Sequence, residues 1–166
     1  MSHPYDLLPL DGAGSLILTP CPGLKETSVA EALKDLKAAG ASALVTLMPE
    51  EELEAQSVDA LPSLCAEQQL EWFHLPIADE QIPLADFDSA WAHSHRRLQQ
   101  LLDQGRSVAI HCKGGSGRTG LIVARLLMER GLSRDQAVAQ VQALRPKAIQ
   151  HPAHVAWLAQ FDTPQQ

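Results

Sequence analysis

One ten-residue segment in the last third of the chain constrains the fold more than any other. It runs from His111 to Gly120 and has the sequence HCKGGSGRTG. A short apolar run rich in strand formers starts at Ser107 and leads into it, and an apolar run long enough for a buried helix follows it to Met128. We therefore predict a loop between a strand and a helix N-terminus, where unpaired N–H groups and the helix dipole favour an anion.

The residue types in this segment suit an anion the size of a phosphate group. Three glycines between Lys113 and Arg118 let the backbone adopt positive φ and curl its amides around one centre. Arg118, six positions after Cys112, carries a planar guanidinium that matches two phosphate oxygens. We expect a phosphate-binding loop formed by Lys113, Gly114, Gly115, Ser116, Gly117 and Arg118.

Cys112 is the predicted nucleophile of this loop. A helix N-terminus and a neighbouring cation typically lower the pKa of a cysteine to roughly 3.5–7.5, so that the thiolate is present at neutral pH. Thr119 follows the arginine and is expected to donate its hydroxyl to the sulfur when the thiolate leaves. His111 is expected to order the loop through its ring nitrogens, since a preformed thiolate needs no base.

The order His-Cys, five residues, Arg-Thr resembles the signature of the cysteine-dependent protein-tyrosine phosphatase superfamily. Within it, the chain is most similar to the dual-specificity branch, and there to the kinase-associated phosphatases. The segment from Pro76 to Asp79 is similar to their general-acid loop, and the segment from Arg145 to Gln150 is similar to the stretch after their catalytic helix. Order and spacing agree, and weaker similarity covers nearly the whole chain.

The resemblance implies a phosphoric monoester hydrolase that acts through a phosphocysteine intermediate. Cys112 would attack phosphorus, Arg118 would bind the phosphoryl oxygens, and Asp79 would protonate the leaving group. Gln150 aligns with a glutamine that places the hydrolytic water, and an ordinary surface or capping role is its alternative. The chain departs from the family where two glycines are replaced by Glu80 and Gln81 and one glycine is replaced by Lys147.

Asp79 can also be weighed without the family. It follows an apolar run at 72–75, which predicts a strand end that leads into a surface loop. If that strand is parallel to the one ending at His111, both ends open at the same edge of the sheet, where α/β folds bind ligands. A carboxylic acid there can protonate a departing oxygen. Asp79 is the first candidate for this acid and Glu80 the second.

Alternating strand and helix patterns predict a three-layer α/β fold. We expect a mainly parallel central sheet of about four to five strands flanked by helices. The chain has 166 residues and 45% hydrophobic content, which suits one phosphatase domain over 1–166 with an ordered core at about 11–162. Three consecutive glutamates, Glu50 to Glu52, are interpreted as the solvated start of a helix.

Charge and cysteine content exclude several classes of function. Twenty acidic and 13 basic residues give a net charge of −7, which argues against nucleic-acid binding and stable membrane association. Three cysteines are no disulfide framework, and the N-terminal residues lack a secretory pattern, so we expect a cytoplasmic monomer. The histidines show no ligand spacing, so no metal or cofactor is expected.

Four alternatives remain open beside a protein phosphatase. Lys113 and the Arg-Thr-Gly ending also resemble phosphoinositide phosphatases, although Ser116 stands where those loops carry a second lysine. A sulfur-transferring or arsenate-reducing enzyme is disfavoured because its cysteine loop lies near the N-terminus. A non-catalytic phosphoprotein-binding module is the third alternative, and a redox-controlled enzyme in which Cys21 or Cys65 traps oxidised Cys112 is the fourth. The substrate stays open because loop heights set pocket depth.

Overall fold

The computed structural model describes residues 2–162, and the expectations for Met1 and for 163–166 fall outside the described residues. Within these residues the chain forms one five-stranded sheet in the order β1-β2-β5-β3-β4. Only β1 is antiparallel to its neighbour, so the predicted mainly parallel sheet flanked by helices is confirmed. The strands are β1 (Asp6–Pro9), β2 (Ser15–Thr19), β3 (Ala41–Thr46), β4 (Glu71–His74) and β5 (Ser107–His111).

Helices connect the strands and flank the sheet. Two of them begin at serine caps, because Ser28 accepts from the Glu31 N–H and Ser133 forms a reciprocal capping box with Gln136. No helix of the described residues is both long and apolar enough to cross a membrane. The helices are α1 (Val29–Ala38), α2 (Glu50–Ala55), α3 (Leu61–Glu67), α4 (Ala85–Asp103), α5 (Gly117–Glu129), α6 (Arg134–Leu144) and α7 (Pro152–Ala159).

The sheet is buried on both faces, which explains its apolar strands. Successive side chains of a strand point to opposite faces, so Leu16 and Leu18 of β2 join one core while Ile17 joins the other. The first core contains buried side chains of α4, α5, α6 and α7, and the second contains those of α1, α2 and α3. The molecule is therefore built in three layers.

The chain before residue 11 departs from the sequence expectation. The ordered core was expected to start near residue 11, whereas β1 lies at Asp6–Pro9 and pairs antiparallel with β2. Leu8 is buried in the first core, and His3 is buried with its Nε2 2.6 Å from the Thr19 hydroxyl. A four-residue strand with one inward side chain has too little alternation to be identified from sequence.

The topology brings four strand ends to one edge. Strands β2, β5, β3 and β4 are mutually parallel neighbours, so their carboxyl ends open on the same side. The loops that follow them therefore meet, which is where open α/β sheets bind ligands. This arrangement positions the candidate site.

Candidate active site

Cys112 lies in the loop between β5 and α5, where the sequence placed it. Its side chain is buried, with only 4% of the residue exposed. The Sγ accepts hydrogen bonds from the Thr119 hydroxyl at 3.1 Å and from the Gly115 N–H at 3.3 Å. Two donors on one sulfur suit a thiolate that attacks and later leaves.

Gly115 is the glycine that the loop requires most. Its φ is 80°, in the left-handed region that favours glycine. A Cβ at this position would lie 2.7 Å from the Pro20 nitrogen and 2.8 Å from the Thr19 carbonyl oxygen, closer than any real contact. The loop therefore packs against the end of β2 through a backbone that carries no side chain. The Cys21 N–H also donates to the Lys113 carbonyl at 3.0 Å.

Arg118 is held rigidly at the first turn of α5. Its side chain is 3% exposed, and the guanidinium donates two hydrogen bonds of 2.8 Å to the carboxylate of Glu52 and one of 2.9 Å to the Ile77 carbonyl. Its Nε has no hydrogen-bond partner among residues 2–162, so this edge of the fork can accept an anion. Burial lowers the pKa of Arg118, but the hydrogen bonds and negative charges around it outweigh burial and raise it.

Glu52 is a site residue that the sequence interpretation missed. The three glutamates that begin α2 were interpreted as a solvated helix start, yet Glu52 anchors the guanidinium of Arg118. The available signal was topological: α2 follows the end of β3, which neighbours β5 and opens at the same edge. The sequence alone did not reveal which of the three glutamates faces the loop.

Asp79 lies at the same mouth, in the loop after β4. One carboxylate oxygen is 3.5 Å from Nη2 of Arg118, and the side chain is 69% exposed. The next residue, Glu80, has a φ of 61°, which is unusual for a residue with a side chain. The buried His154 of α7 lies with Nε2 2.9 Å from the Gln81 carbonyl oxygen and fastens this loop to the helix.

His111 is fully buried in a chain of hydrogen bonds. The Trp72 indole donates to the Thr46 hydroxyl at 2.8 Å, and that oxygen lies 2.7 Å from Nε2 of His111. Nδ1 lies 3.0 Å from the Cys112 carbonyl oxygen and must therefore donate to it, which leaves Nε2 to accept from Thr46. Burial lowers the pKa of His111 to about 4, so the ring that makes these hydrogen bonds is neutral at pH 7.

In the segment after α6, Arg145 contacts the loop between β5 and α5, whereas Gln150 binds a carbonyl of its own segment. The Gln150 side chain is exposed and donates to the Pro146 carbonyl at 2.6 Å, so the structure does not bring it to Cys112. Arg145 instead donates from Nε to the Gly115 carbonyl at 2.9 Å. Lys147 is exposed in the turn between them.

The other two cysteines are buried free thiols. Cys21 follows β2 beside the loop, and burial together with the nearby charges of Cys112 and Glu52 raises its pKa to about 12. Burial alone raises the pKa of Cys65 to about 12. Among residues 2–162, no group of three histidines, cysteines or carboxylates is arranged to hold a metal ion.

Comparisons with known proteins show which family the chain is similar to. A family model described as "polymorphic toxin system, DSP-PTPase phosphatase" matches residues 22–132. The protein tyrosine phosphatase domain-containing protein 1 of Bos taurus is 30% identical over 106 residues, which cover 57% of this chain and 13% of that protein. The chain spans 10% to 13% of the length of the first two curated relatives it matches.

Solved structures agree over nearly the whole chain. A kinase associated phosphatase (KAP) with its catalytic-site cysteine substituted by serine has a TM-score of 0.81 and 25% identity, over 97% of this chain and 94% of that one. The active form of Tk-PTP has a TM-score of 0.67 and 26% identity, over 91% and 92%. The chain thus belongs to the DSP-PTPase phosphatase family, in the dual-specificity branch of the cysteine-dependent protein-tyrosine phosphatases.

Proposed function

We propose that the protein is a cysteine-dependent phosphatase that hydrolyses phosphotyrosine and phosphoserine or phosphothreonine monoesters through a phosphocysteine intermediate. Membership of a phosphatase family supports the reaction class. The observation that carries the proposal is the Cys112 sulfur, which accepts from Thr119 and Gly115 within the loop that Arg118 closes. The loop amides and the free Nε edge of Arg118 are donors suited to the phosphoryl oxygens.

In the first step, the Cys112 thiolate attacks phosphorus, so that an S–P bond forms and the P–O bond to the leaving group breaks. Asp79 gives its proton to the departing oxygen, and its place 3.5 Å from Arg118 supports this role. Arg118 stays charged throughout because Glu52 holds it in place and raises its pKa. The nucleophile and the acid then lie on opposite sides of the phosphoryl group.

In the second step, water attacks the phosphorus of the phosphocysteine and the S–P bond breaks. Asp79 accepts a proton from that water, and inorganic phosphate leaves. The Thr119 hydroxyl, 3.1 Å from the sulfur, stabilises the departing thiolate of Cys112. We assign Gln150 to the placement of this water, which requires its side chain to leave the Pro146 carbonyl.

The proposed substrate is a phosphorylated protein or a small phosphoester, bound by a monomer without a metal or other cofactor. Three free thiols support the cytoplasm as the place of action, because unpaired cysteines suit a reducing compartment. One structure of the same fold, PTPMT1 at 20% identity, was solved in complex with PI(5)P. An inositol phosphate therefore belongs in the substrate panel.

The test compares the intact chain with Cys112→Ser and with Cys65→Ala as the control that removes a distant thiol. Turnover of para-nitrophenyl phosphate, phosphotyrosine and phosphothreonine peptides and an inositol phosphate is measured at one pH. We expect Cys112→Ser to abolish turnover but to keep tungstate binding, and Cys65→Ala to keep both. Full activity of Cys112→Ser would contradict the scheme. Turnover confined to inositol phosphate would identify a small-molecule phosphatase. Tight binding of the phosphopeptides without turnover would identify a phosphoprotein-binding module.

A further inference from the structure

Arg145 is the first residue after α6, and its side chain reaches the phosphate-binding loop. The Arg145 side chain is only 16% exposed. Its Nε donates to the Gly115 carbonyl at 2.9 Å, and its Nη2 donates to the Leu18 carbonyl at 3.3 Å. Its Nη1 donates to the Leu144 carbonyl at 3.3 Å and pairs with the carboxylate of Asp6. One arginine thus joins the loop to the ends of β1 and β2.

The direction of the Gly115 carbonyl sets the direction of the next N–H in the loop. The N–H of Gly115 donates to Cys112 Sγ, whereas its carbonyl belongs to the next peptide, which it shares with Ser116. A trans peptide holds its C=O and N–H in opposite directions. When Arg145 binds the carbonyl, the N–H of Ser116 must therefore point away from Arg145.

Among residues 2–162, the Gly115 carbonyl accepts its hydrogen bond from Arg145. Gly115 has no Cβ and a φ of 80°, so a flip of the peptide after it meets no side chain of its own, although the Gly115 backbone packs against Thr19 and Pro20. A flipped peptide would aim a carbonyl oxygen at the anion centre, which removes one donor and adds a repulsive dipole. The charge of Arg145 is balanced by Asp6, so its effect on the loop is chiefly geometric.

We propose that Arg145 is a positioning residue that locks the Gly115–Ser116 peptide so that the loop amides face the phosphoryl oxyanion. The proposal deepens the proposed phosphatase function and rests on it for the turnover measurement. Arg145 does not touch the reacting atoms and acts through the Gly115 carbonyl. A lysine at this position keeps the charge but not the planar fork that reaches the carbonyls of Gly115, Leu18 and Leu144.

The experiment uses the full chain with Arg145→Met and Arg145→Lys. The control is Arg130→Met, which removes an arginine of similar exposure, 20%, that pairs with Asp103. Three quantities are measured: kcat and KM for para-nitrophenyl phosphate, the pH profile of Cys112 alkylation by iodoacetate, and tungstate affinity in the Cys112→Ser background. We expect Arg145→Met to lose about 100-fold in kcat/KM, the scale of one lost oxyanion donor.

Arg145→Met should also weaken tungstate binding at least tenfold and shift the alkylation profile to higher pH. Arg145→Lys should fall between Arg145→Met and the intact chain, and Arg130→Met should match the intact chain. Arg145→Met with unchanged tungstate affinity and alkylation, and only a lower melting temperature, would overturn the proposal. If Arg145→Met does not fold, Arg145→Lys decides, because values equal to those of the intact chain would overturn it.

Failure of the positioning role and failure of the phosphatase function can be distinguished, because tungstate binding and alkylation need no turnover. Suppose that Arg145→Met binds tungstate more weakly than the intact chain, and that the intact chain hydrolyses no phosphoester. This pair of results would support the positioning role and contradict the phosphatase function.

Discussion

Asp79 is a candidate site residue whose side chain is largely exposed. One carboxylate oxygen lies 3.5 Å from Nη2 of Arg118. A group in that position is free to approach the leaving oxygen of a bound ester. Whether it delivers a proton can be measured through the leaving group, because a good leaving group needs no acid.

We predict that Asp79→Asn loses about 10²- to 10⁴-fold in kcat with phenyl phosphate or a phosphoserine peptide, the range typical of general acids. The loss should be far smaller with para-nitrophenyl phosphate, whose leaving group is already a weak base. Glu80→Gln is the matched control one residue away and should keep kcat with both kinds of substrate. Equal rates for Asp79→Asn and the intact chain with the poor leaving groups would move the acid role to Glu80.

Sequence reasoning succeeded for contacts that lie within one segment. Cys112, Gly115 and Thr119 are close along the chain, so a strand, a loop and a helix suffice to bring them together. Glu52 lies 66 positions from Arg118, and its role follows only from the order of strands in the sheet. The segment from Arg145 to Gln150 was noted by resemblance, with a role for Gln150 and none for Arg145, and the bond of Arg145 to Gly115 depends on the packing of α6 on α5.

At the scale of elements, the loop after β4 combines a firm anchor with a strained residue. His154 on α7 holds the Gln81 carbonyl, while Glu80 adopts a φ of 61°. The left-handed region costs roughly 1–2 kcal/mol for a residue with a Cβ. Glycine adopts this conformation freely, which gives a physical reason for the glycines that related enzymes carry after their aspartate.

We predict that Glu80→Gly raises the free energy of unfolding by about 0.5–1 kcal/mol, since the relief of strain exceeds the entropy that a glycine adds to the unfolded chain. Urea unfolding measures this change. Gln69→Gly is the matched control, because Gln69 also has a φ of 61° but lies after α3. Both variants should gain stability, and only Glu80→Gly should change KM, through the charge lost at the mouth. A loss of stability in Glu80→Gly alone would show that the carboxylate stabilises the loop.

Element boundaries were predictable where local chemistry marks them. Ser28 and Ser133 cap α1 and α6, and each is followed three residues later by a glutamate or glutamine, a local pattern that marks a helix start in a sequence. Strand β1 was missed because its stability comes from pairing with β2 and from the Asp6 contact with Arg145. Neither contact leaves a periodic signal in four residues.

At the scale of the molecule, the buried hydrogen bonds around Cys112 continue into the central sheet. His111 ends the central strand β5, and its neutral ring links Thr46 of β3 to the Cys112 carbonyl. Burial holds the pKa of His111 at about 4, well below its value of 6.5 in an unfolded chain. The stability of the whole domain is therefore coupled to pH through the residue that precedes Cys112.

The sign of this coupling follows from proton binding. Below pH 6.5 the unfolded chain protonates His111, whereas the native state does so only near pH 4, so stability falls as the pH falls through this window. A shift from 6.5 to about 4 corresponds to on the order of 3 kcal/mol. Burial also lowers the pKa of His3, which acts in the same direction.

We predict that the intact chain loses on the order of 3 kcal/mol more unfolding free energy between pH 7 and pH 4 than His111→Gln does. Urea titrations at a series of pH values measure the two curves, and His93→Gln, which changes an exposed histidine of α4, should run parallel to the intact chain. Parallel curves for His111→Gln and the intact chain would contradict the prediction. If His111→Gln does not fold, NMR titration of the His111 ring decides, because protonation well above pH 4 in the native protein would contradict it equally.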